Sequence, residues 1–386
     1  VDRERPQREP PFQRRRRVVT VRGRRGPHRR GRGRVPCPAR RSGPRAPAGG
    51  RVAAGGPSSR GTSTAGRTAR LIARRLLGLV VSLAVSSIII FALLSLLPGD
   101  VAQVMLGSNA DPKMAAQLRE QLGLDDPFLV RYWHWLSGLL TGDLGTSVLS
   151  GQEIAPQIAE RLAVTGWLVL LAVLIALLLC IPMGVHAAIH RRDVRGFLTS
   201  ALAQFLMSVP AFLAGLLLIL LFAIELRWLP AGAYVPLRED PGEWIRHLIL
   251  PALALALVQA AVMSRYVRSA FIDVLTDDYL RTARAAGWTL HGALRRHGRR
   301  NASISLVTVL GLEISSMLVG AIVVEQVFVV PGLGSFLLDA VTSRDIPVVA
   351  DVVMVLVALV LLISFLSDVV TVSLDPRLRV VKEASK

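Results

Sequence analysis

Six long apolar stretches, separated by polar and often charged segments, set the pattern of this chain. They cover residues 76–97, 166–188, 197–224, 247–263, 306–329 and 348–372. A helix needs about 20 predominantly apolar residues to cross the hydrocarbon core of a bilayer. The pattern therefore predicts an all-α polytopic membrane protein with six transmembrane helices, of which the fourth is the shortest.

A helical pattern of another kind lies between the first two apolar stretches. Pro127 follows two aspartates, which is a helix-start signal. Apolar residues then recur at spacings of four, three and four, at Leu129, Trp133, Leu136 and Leu140. This spacing places them on one helical face. We expect a small extracytoplasmic helical segment that lies on the membrane.

Composition agrees with a membrane protein and locates the charge. The chain is 52% hydrophobic with a mean hydropathy of +0.48, which excludes an ordinary soluble domain. The formal net charge is +19, but residues 1–75 hold 23 arginines against 3 acids, whereas residues 76–386 hold 23 basic and 24 acidic residues. The basic character is therefore confined to one end.

Residues 1–70 are rich in Arg, Gly, Pro, Ser and Ala, and such a segment is expected to be a disordered basic tail because it has little apolar surface to bury. Three interpretations stay open. The tail is an arm for nucleic acid or anionic lipid, or it only reinforces membrane orientation, or it is untranslated. The last follows from Val1, which fits a conceptual translation from an alternative start codon.

The basic residues of the loops predict an orientation. The loops at 98–165, 225–246 and 330–347 hold 8 basic and 14 acidic residues, and those at 189–196, 264–305 and 373–386 hold 15 and 6. Cytoplasmic loops carry the excess of Lys and Arg. We therefore expect the second set and both termini in the cytoplasm.

The loop at 265–305 is the most informative of these segments. Residues 279–286 lack Gly and Pro and favour a helix, which Gly287 is placed to end. Leu280, Ala283 and Gly287 share one mostly small-residue face of it. A second, short basic helix is expected over 291–300. Together they predict a cytoplasmic knob on which a partner docks.

This chain is not expected to catalyse a reaction itself. It has no G-x-x-x-x-G-K-[ST] loop to bind ATP phosphates. Its two cysteines, Cys37 and Cys180, suggest neither a metal site nor a disulfide. We expect no catalytic residues, no bound metal and no cofactor.

Several motifs in order resemble the permease subunits of bacterial ABC importers, in the dipeptide, oligopeptide and nickel branch. RTARAAG at 281–287 resembles the branch's cytoplasmic EAA loop, with Arg281 in place of its leading Glu, and RHGRRNA at 296–302 continues it. LLPGD at 96–100, GDLGTSV at 142–148 and VVEQVFVVPGLG at 323–334 are similar to its other hallmarks.

The resemblance implies a type I permease fold and its machinery. It divides the chain into a first helix with an extracytoplasmic segment (71–160), a permease core (161–375) and a cytoplasmic tail (376–386). The expected partners are a second permease subunit, two cytoplasmic ATPases that hold ATP and Mg, an extracytoplasmic substrate-binding protein and the bilayer of a bacterial cell membrane, with no nucleic acid. The expected substrate is a di- or oligopeptide, with nickel, glutathione or an oligosaccharide as alternatives. The residues implied for ATPase coupling are Tyr279, Arg281, Thr282, Ala283, Arg284, Ala285, Ala286, Gly287, Arg296, His297 and Asn301.

Polar and special residues inside the apolar stretches are candidates for the translocation path, since ionisable groups at membrane depth are rarely idle. Glu313 is the deeper acid, and Glu325 lies nearer the outer interface. Pro210 predicts a kink that Ser208 helps to satisfy. For each of these the alternative is a purely structural role. Asp368 is expected to pair with a loop arginine.

Two functions of other classes remain open at this level. A secondary transporter driven by an ion gradient predicts internal repeats and interrupted helices around a midplane site, and no convincing repeat is visible. A membrane-anchored nucleic-acid-binding protein explains residues 1–70 but leaves six spans without a role.

Overall fold

The computed structural model describes residues 64–96, 111–121 and 125–374, which form helices joined by turns. Within them no strand is present beyond an isolated bridge between Thr146 and Glu153. Three segments discussed above lie outside the described residues. They are the expected tail at 1–70 except for its last seven residues, the LLPGD motif after Leu96, and the tail at 376–386. The helices, in chain order, are α1 (Thr64–Ser95), α2 (Pro112–Gln121), α3 (Phe128–Thr141), α4 (Ile154–Ile189), α5 (Val194–Ser208), α6 (Ala211–Leu218), α7 (Pro241–Thr276), α8 (Asp278–Ala285), α9 (Leu290–Ala293), α10 (Arg299–Phe328), α11 (Leu333–Ser343) and α12 (Ile346–Leu374).

Membrane-spanning helices occur where the apolar pattern predicts them. Five are long and apolar enough to cross a bilayer: Ile72–Ser95, Ile154–Ile189, Pro241–Thr276, Leu306–Phe328 and Ile346–Ser373. The all-α membrane fold is confirmed. The second and fourth spans extend well beyond the apolar stretches because polar turns continue the helix past the hydrocarbon region.

The third span differs from the predicted continuous helix with a kink. It consists of α5 and α6 with its π-helical extension Ile219–Glu225, bent by 100° between Ser208 and Ala211. Pro210 has no N–H for the carbonyl of Leu206, which accepts from Val209 N at 3.3 Å instead. The hydroxyl of Ser208 donates to Gln204 O within its own helix at 3.0 Å. The expectation that Ser208 compensates for the proline is therefore wrong.

The bent pair nevertheless makes one crossing. It begins beside the end of α4, where Gly196 approaches His190 O. The chain that follows α6 reaches the far end of α10, where Ala233 N donates to Phe328 O at 3.1 Å. We call the end of the bundle at Phe328 the outer end and the opposite end, at Ile189, the inner end. Counted this way the described residues hold six spans.

The core forms where α4, α7 and α10 pack together, with α6 against them. It is rich in alanine, with Ala172, Ala176, Ala252 and Ala256 all fully buried. At Gly184 a Cβ would collide with Val267 and with Ser264 O. Lipid is as apolar as leucine, so membrane helices associate through such close van der Waals contact between small residues.

The first helix packs at the edge of the bundle, along α12. Among its described side chains only Ser87 is buried. Near the inner end Arg75 Nη1 lies 2.6 Å from Asp368 Oδ2. The expected partner of Asp368, a loop arginine, is therefore corrected to an arginine of α1, because α1 and α12 run side by side.

The outer helix α3 begins directly after Pro127, as the sequence indicates. Its aromatic face packs on α1: Phe91 contacts Tyr132 at 5.6 Å and Trp135 at 5.4 Å between ring centroids. Leu129, Trp133 and Leu140 on the expected apolar face are 65–79% exposed. That face remains free to meet lipid, in agreement with a helix that lies on the membrane.

Candidate functional site

The inner loop between α7 and α10 is a compact helical knob. Its first helix, α8, ends in a Schellman motif, in which Gly287 N donates to Arg284 O at 3.0 Å and Trp288 N to Ala283 O at 3.2 Å. Gly287 has φ +89°, a conformation that costs other residues energy. The glycine therefore ends the helix where the sequence predicts a stop.

The knob packs against its own bundle through an apolar cluster. Leu280 is 2% exposed and contacts Val274, Ala293 and Leu294, with Ala283 beside them. Leu280 is therefore not available to a partner, whereas Ala283 is half-buried and Gly287 exposed, so the expected shared face is open only in part. An amphipathic helix this short buries its apolar side wherever a neighbour is available, and here that neighbour is the end of α7.

The opposite side of the knob is open and defines what a partner meets. Its exposed residues include Arg281, Thr282, Arg284, Ala285, Ala286, Gly287 and Trp288, which we call the knob surface. The exposed carboxylate of Asp278 lies at its edge, 3.6 Å from Arg281 Nη1. Arg296 lies over the Trp288 ring at 5.7 Å from its centroid. The surface combines two guanidinium groups with a stretch of small residues ending in an aromatic ring. Such a surface suits a partner that offers acids around an apolar pocket.

A separate second basic helix does not form. The chain over 290–300 is one turn of α9, a π-helical turn Leu294–Gly298 and then the start of α10. His297 and Asn301 lie in these continuous turns, and their side chains are outside the described part. Gly298 packs closely on Val274 and Leu294. From Leu290 onward the knob continues into α10 without a break in the helical backbone, whereas the turn at Gly287 separates α8 from this run.

Glu325 is placed differently from the exposed position near the outer interface that the sequence suggests. Its carboxylate is fully buried and accepts hydrogen bonds from Thr165 Oγ1 at 2.6 Å, Gly334 N at 2.7 Å and Ser335 N at 3.1 Å. Thr165 in turn accepts from Leu333 N at 2.8 Å. The hydroxyl of Thr165 and the N–H groups of Leu333, Gly334 and Ser335 therefore all have an acceptor. These hydrogen bonds hold the first turn of α11 against α4 and α10.

Open polar groups lie instead between α7 and α10. Gln259 Nε2 donates to Ser316 Oγ at 3.2 Å. Glu313, one turn before Ser316 on α10, is half-buried, and Arg265 is exposed on α7. We call Gln259, Arg265, Glu313 and Ser316 the polar seam. An amide, a hydroxyl, a carboxylate and a guanidinium at membrane depth indicate water or a polar solute rather than lipid.

Sequence reasoning identified one member of the seam and missed three. Gln259 was a usable signal, since an amide inside an apolar stretch needs a polar partner in the membrane. Nothing in the sequence marked Ser316 or Arg265 as part of a polar site. Serine hydroxyls in helices usually bond to their own backbone, and arginines are common in cytoplasmic loops. Ser208 and Pro210 are exposed at the break of the third span, and the hydroxyl of Ser208 bonds to its own helix. Within residues 64–96, 111–121 and 125–374, no three His, Cys, Asp or Glu side chains converge to hold a metal.

Thiol labelling tests whether the seam meets water. In a chain with Cys37 replaced by Ser, Ser316→Cys is expected to react with a membrane-impermeant charged maleimide, because a thiolate forms only in water. The control is Leu174→Cys, on α4, where an exposed leucine is surrounded by apolar residues; it should stay unlabelled. The native Cys180 is buried and does not interfere. Equal labelling of the two positions in the assembled complex would contradict a water-lined seam.

Known proteins resemble the chain along most of its length. Residues 180–380 match the family described as binding-protein-dependent transport system inner membrane component, and residues 68–168 match the N-terminal domain of such components. The glutathione transport system permease protein GsiC of Salmonella typhimurium is 40% identical over 309 residues, which are 80% of this chain and 98% of that protein. GsiC of Escherichia coli K12 is 39% identical over the same shares. A crystal structure of an amino acid ABC transporter with histidines aligns with a TM-score of 0.42 at 19% identity, over 56% of this chain and 93% of that one.

Proposed function

Because this chain belongs to the binding-protein-dependent transport system inner membrane components, the membrane permease subunits of ABC importers, we propose that it carries a small peptide across the inner membrane, with glutathione as the first candidate. The observation that supports this substrate most is the 40% identity to glutathione permeases over 98% of their length. The subunit itself is not catalytic. It contributes a path for the solute through the membrane and a loop through which partner proteins can move the helices that line this path.

The polar seam suits such a cargo chemically. A short peptide carries an amino group, carboxylates and amide bonds, and it loses its hydration shell in a narrow path. Glu313 can accept from the amino group, Arg265 can donate to a carboxylate, and Gln259 with Ser316 can replace water at the peptide bonds. Each group is open enough to exchange its partner, so the peptide binds weakly and leaves again.

Partners supply what this chain lacks. A second permease subunit closes the path, an extracytoplasmic protein delivers the peptide, and two ATPases with ATP and Mg close against the knob surface. Their closure pushes α8, which packs on Leu294 through Leu280, and the continuous helical backbone from Leu290 carries the motion into α10. This moves Glu313 and Ser316 relative to α7, so that the path opens to one side at a time. The knob then lies in the cytoplasm together with both termini, in accordance with the basic loops.

Uptake by the reconstituted complex decides the substrate. Vesicles holding the two permeases and the ATPases, supplied with the binding protein outside and ATP inside, are expected to accumulate labelled glutathione and to need ATP. Labelled dipeptides, an oligopeptide, nickel and an oligosaccharide are tested in the same vesicles. Accumulation of nickel or sugar alone would overturn the peptide assignment. Uptake driven by a proton or sodium gradient without ATP would overturn the coupling.

A further inference from the structure

A groove opens between α1 and α12 near the inner end of the bundle. Arg74, Arg75 and Asp368 line its charged part, and Leu79, Leu361 and Phe365 line its apolar part. Gly78 also lines the groove, and the space in front of it is empty, since a Cβ at this position would meet nothing within 4 Å. A charged mouth that continues into an apolar channel fits an amphiphile, with an ionic head and a hydrocarbon tail.

The charge of the mouth is positive. Arg75 and Asp368 form an ion pair with side chains 59% and 42% exposed, and such exposed pairs contribute little stability. Arg74 lies beside this pair, and Arg70 lies one turn earlier on the same face of α1. Two arginines and one aspartate therefore line the mouth, with Arg70 one turn away, which leaves an excess of positive charge for an anionic head group.

The depth and the surroundings of the groove favour a lipid over a soluble anion. The two lining arginines lie in the first turn of the span Ile72–Ser95, at the level of the head groups. Most of α1 is exposed along its length, so the groove opens toward the surroundings of the bundle. A soluble anion would leave Leu79, Leu361 and Phe365 in contact with water at the groove wall, whereas an acyl chain covers them.

We propose that this groove binds an anionic phospholipid of the cytoplasmic leaflet, with the phosphate on Arg74 and Arg75 and an acyl chain along Leu79 and Phe365. Asp368 competes with the phosphate for Arg75 and thereby limits the affinity. The lipid joins the peripheral helix α1 to α12 at their inner ends. The proposal does not depend on which solute the protein transports.

Photocrosslinking in the assembled complex tests the proposal. The complex is reconstituted in phosphatidylcholine with a small fraction of phosphatidylglycerol that carries a photoreactive group in its acyl chain. Crosslinks are mapped by mass spectrometry and are expected on residues 74–82 and 361–368. Unlabelled phosphatidylglycerol should compete, whereas phosphatidylcholine and inorganic phosphate should not.

Variants of opposite expected effect sharpen the test. The double change Arg74→Gln with Arg75→Gln is expected to lower the crosslink yield roughly tenfold, since each basic residue near an anionic surface contributes several-fold to binding. Asp368→Asn should raise the yield, because the competing carboxylate is gone. Gly78→Leu should lower it without changing any charge, by filling the groove. Arg191→Gln with Arg192→Gln, exposed in another inner turn, is the matched control and should change nothing.

Three results would overturn the proposal. One is an unchanged yield in the variant that lacks Arg74 and Arg75. Another is equal competition by phosphatidylcholine, which would make the contact non-specific. The third is a pair of results: no lipid crosslinks at the groove in the assembled complex, and crosslinks between Gly78 variants and the second permease subunit. Together these would assign the groove to a protein partner.

Discussion

Ala286→Trp in the knob surface is expected to reduce ATP-driven uptake at least tenfold while the protein still inserts and assembles in the membrane. Ala286 is exposed and has φ −79° and ψ 10°, which any residue adopts. The indole therefore projects outward without disturbing the packing of Leu280. A side chain of this size keeps the partner away from the small residues next to Gly287. A loss of only 1.4 kcal/mol in the docked state is already tenfold in its population.

Ala286 is a cleaner position for this test than Gly287. A Cβ at Gly287 meets nothing within 4 Å, but φ +89° strains any side chain there by about 1–2 kcal/mol. Loss of uptake in Gly287→Trp would thus mix a blocked surface with a distorted turn. Gly287→Ala measures the turn alone and should have a smaller effect than Ala286→Trp.

Uptake and ATP hydrolysis are measured together in vesicles that contain the assembled complex. Arg192→Trp is the control, since Arg192 is exposed in the inner turn after α4 and lies outside the knob surface. It should retain normal uptake. Normal uptake in Ala286→Trp would exclude the knob surface as the place where the ATPase acts, and a general loss of membrane-inserted protein would point to folding instead.

Glu325→Ala is expected to destabilise the outer end by about 3 kcal/mol or more. The change leaves the N–H groups of Gly334 and Ser335 and the hydroxyl of Thr165 buried without their acceptor, and each bond to a charged group contributes about 1.5–3 kcal/mol. The cavity left by a buried side chain adds to the cost. Thermal denaturation of the purified protein, followed by tryptophan fluorescence, should show a lower midpoint.

Glu325→Gln separates the loss of shape from the loss of acceptors. The amide fills the same space and keeps one accepting oxygen, so its midpoint should fall between those of the wild type and Glu325→Ala. The matched control is Gln326→Ala, the next residue along α10, which is exposed and whose amide lies 3.5 Å from Ser335 O. It should be close to neutral. Equal stability of Glu325→Ala and Gln326→Ala would show that the buried network contributes nothing measurable.

Local sequence patterns predicted a helix correctly where its formation and its ends depend only on its own residues. The apolar stretches predicted the spans because a backbone in lipid must satisfy its hydrogen bonds internally. Pro127 and Gly287 marked a helix start and a helix stop because proline and glycine act through their own dihedral angles. The family could be identified from motifs for the same reason, since they are contiguous in the chain.

Properties that depend on residues distant in the chain were out of reach. Glu325 and Thr165 are 160 positions apart, and nothing in either segment indicates that their side chains meet at 2.6 Å. Gln259 and Ser316 are 57 positions apart. The sequence made both Glu313 and Glu325 candidates for the translocation path and separated them only by depth, whereas their neighbours place one in an open polar seam and the other in a buried network.

The hydrophobic pattern of this chain thus determined its class, an all-α membrane protein with up to six spans among the described residues. The tertiary structure decided which faces are open. Leu280 and Ala283 share the helix with Arg281 and Arg284. Only the packing of α8 on Val274 and Leu294 shows that Leu280 is buried and Ala283 half-buried, whereas the two arginines meet the solvent. Periodicity states which residues share a face, but burial requires a second element to cover that face, and its position is set by contacts across the whole bundle.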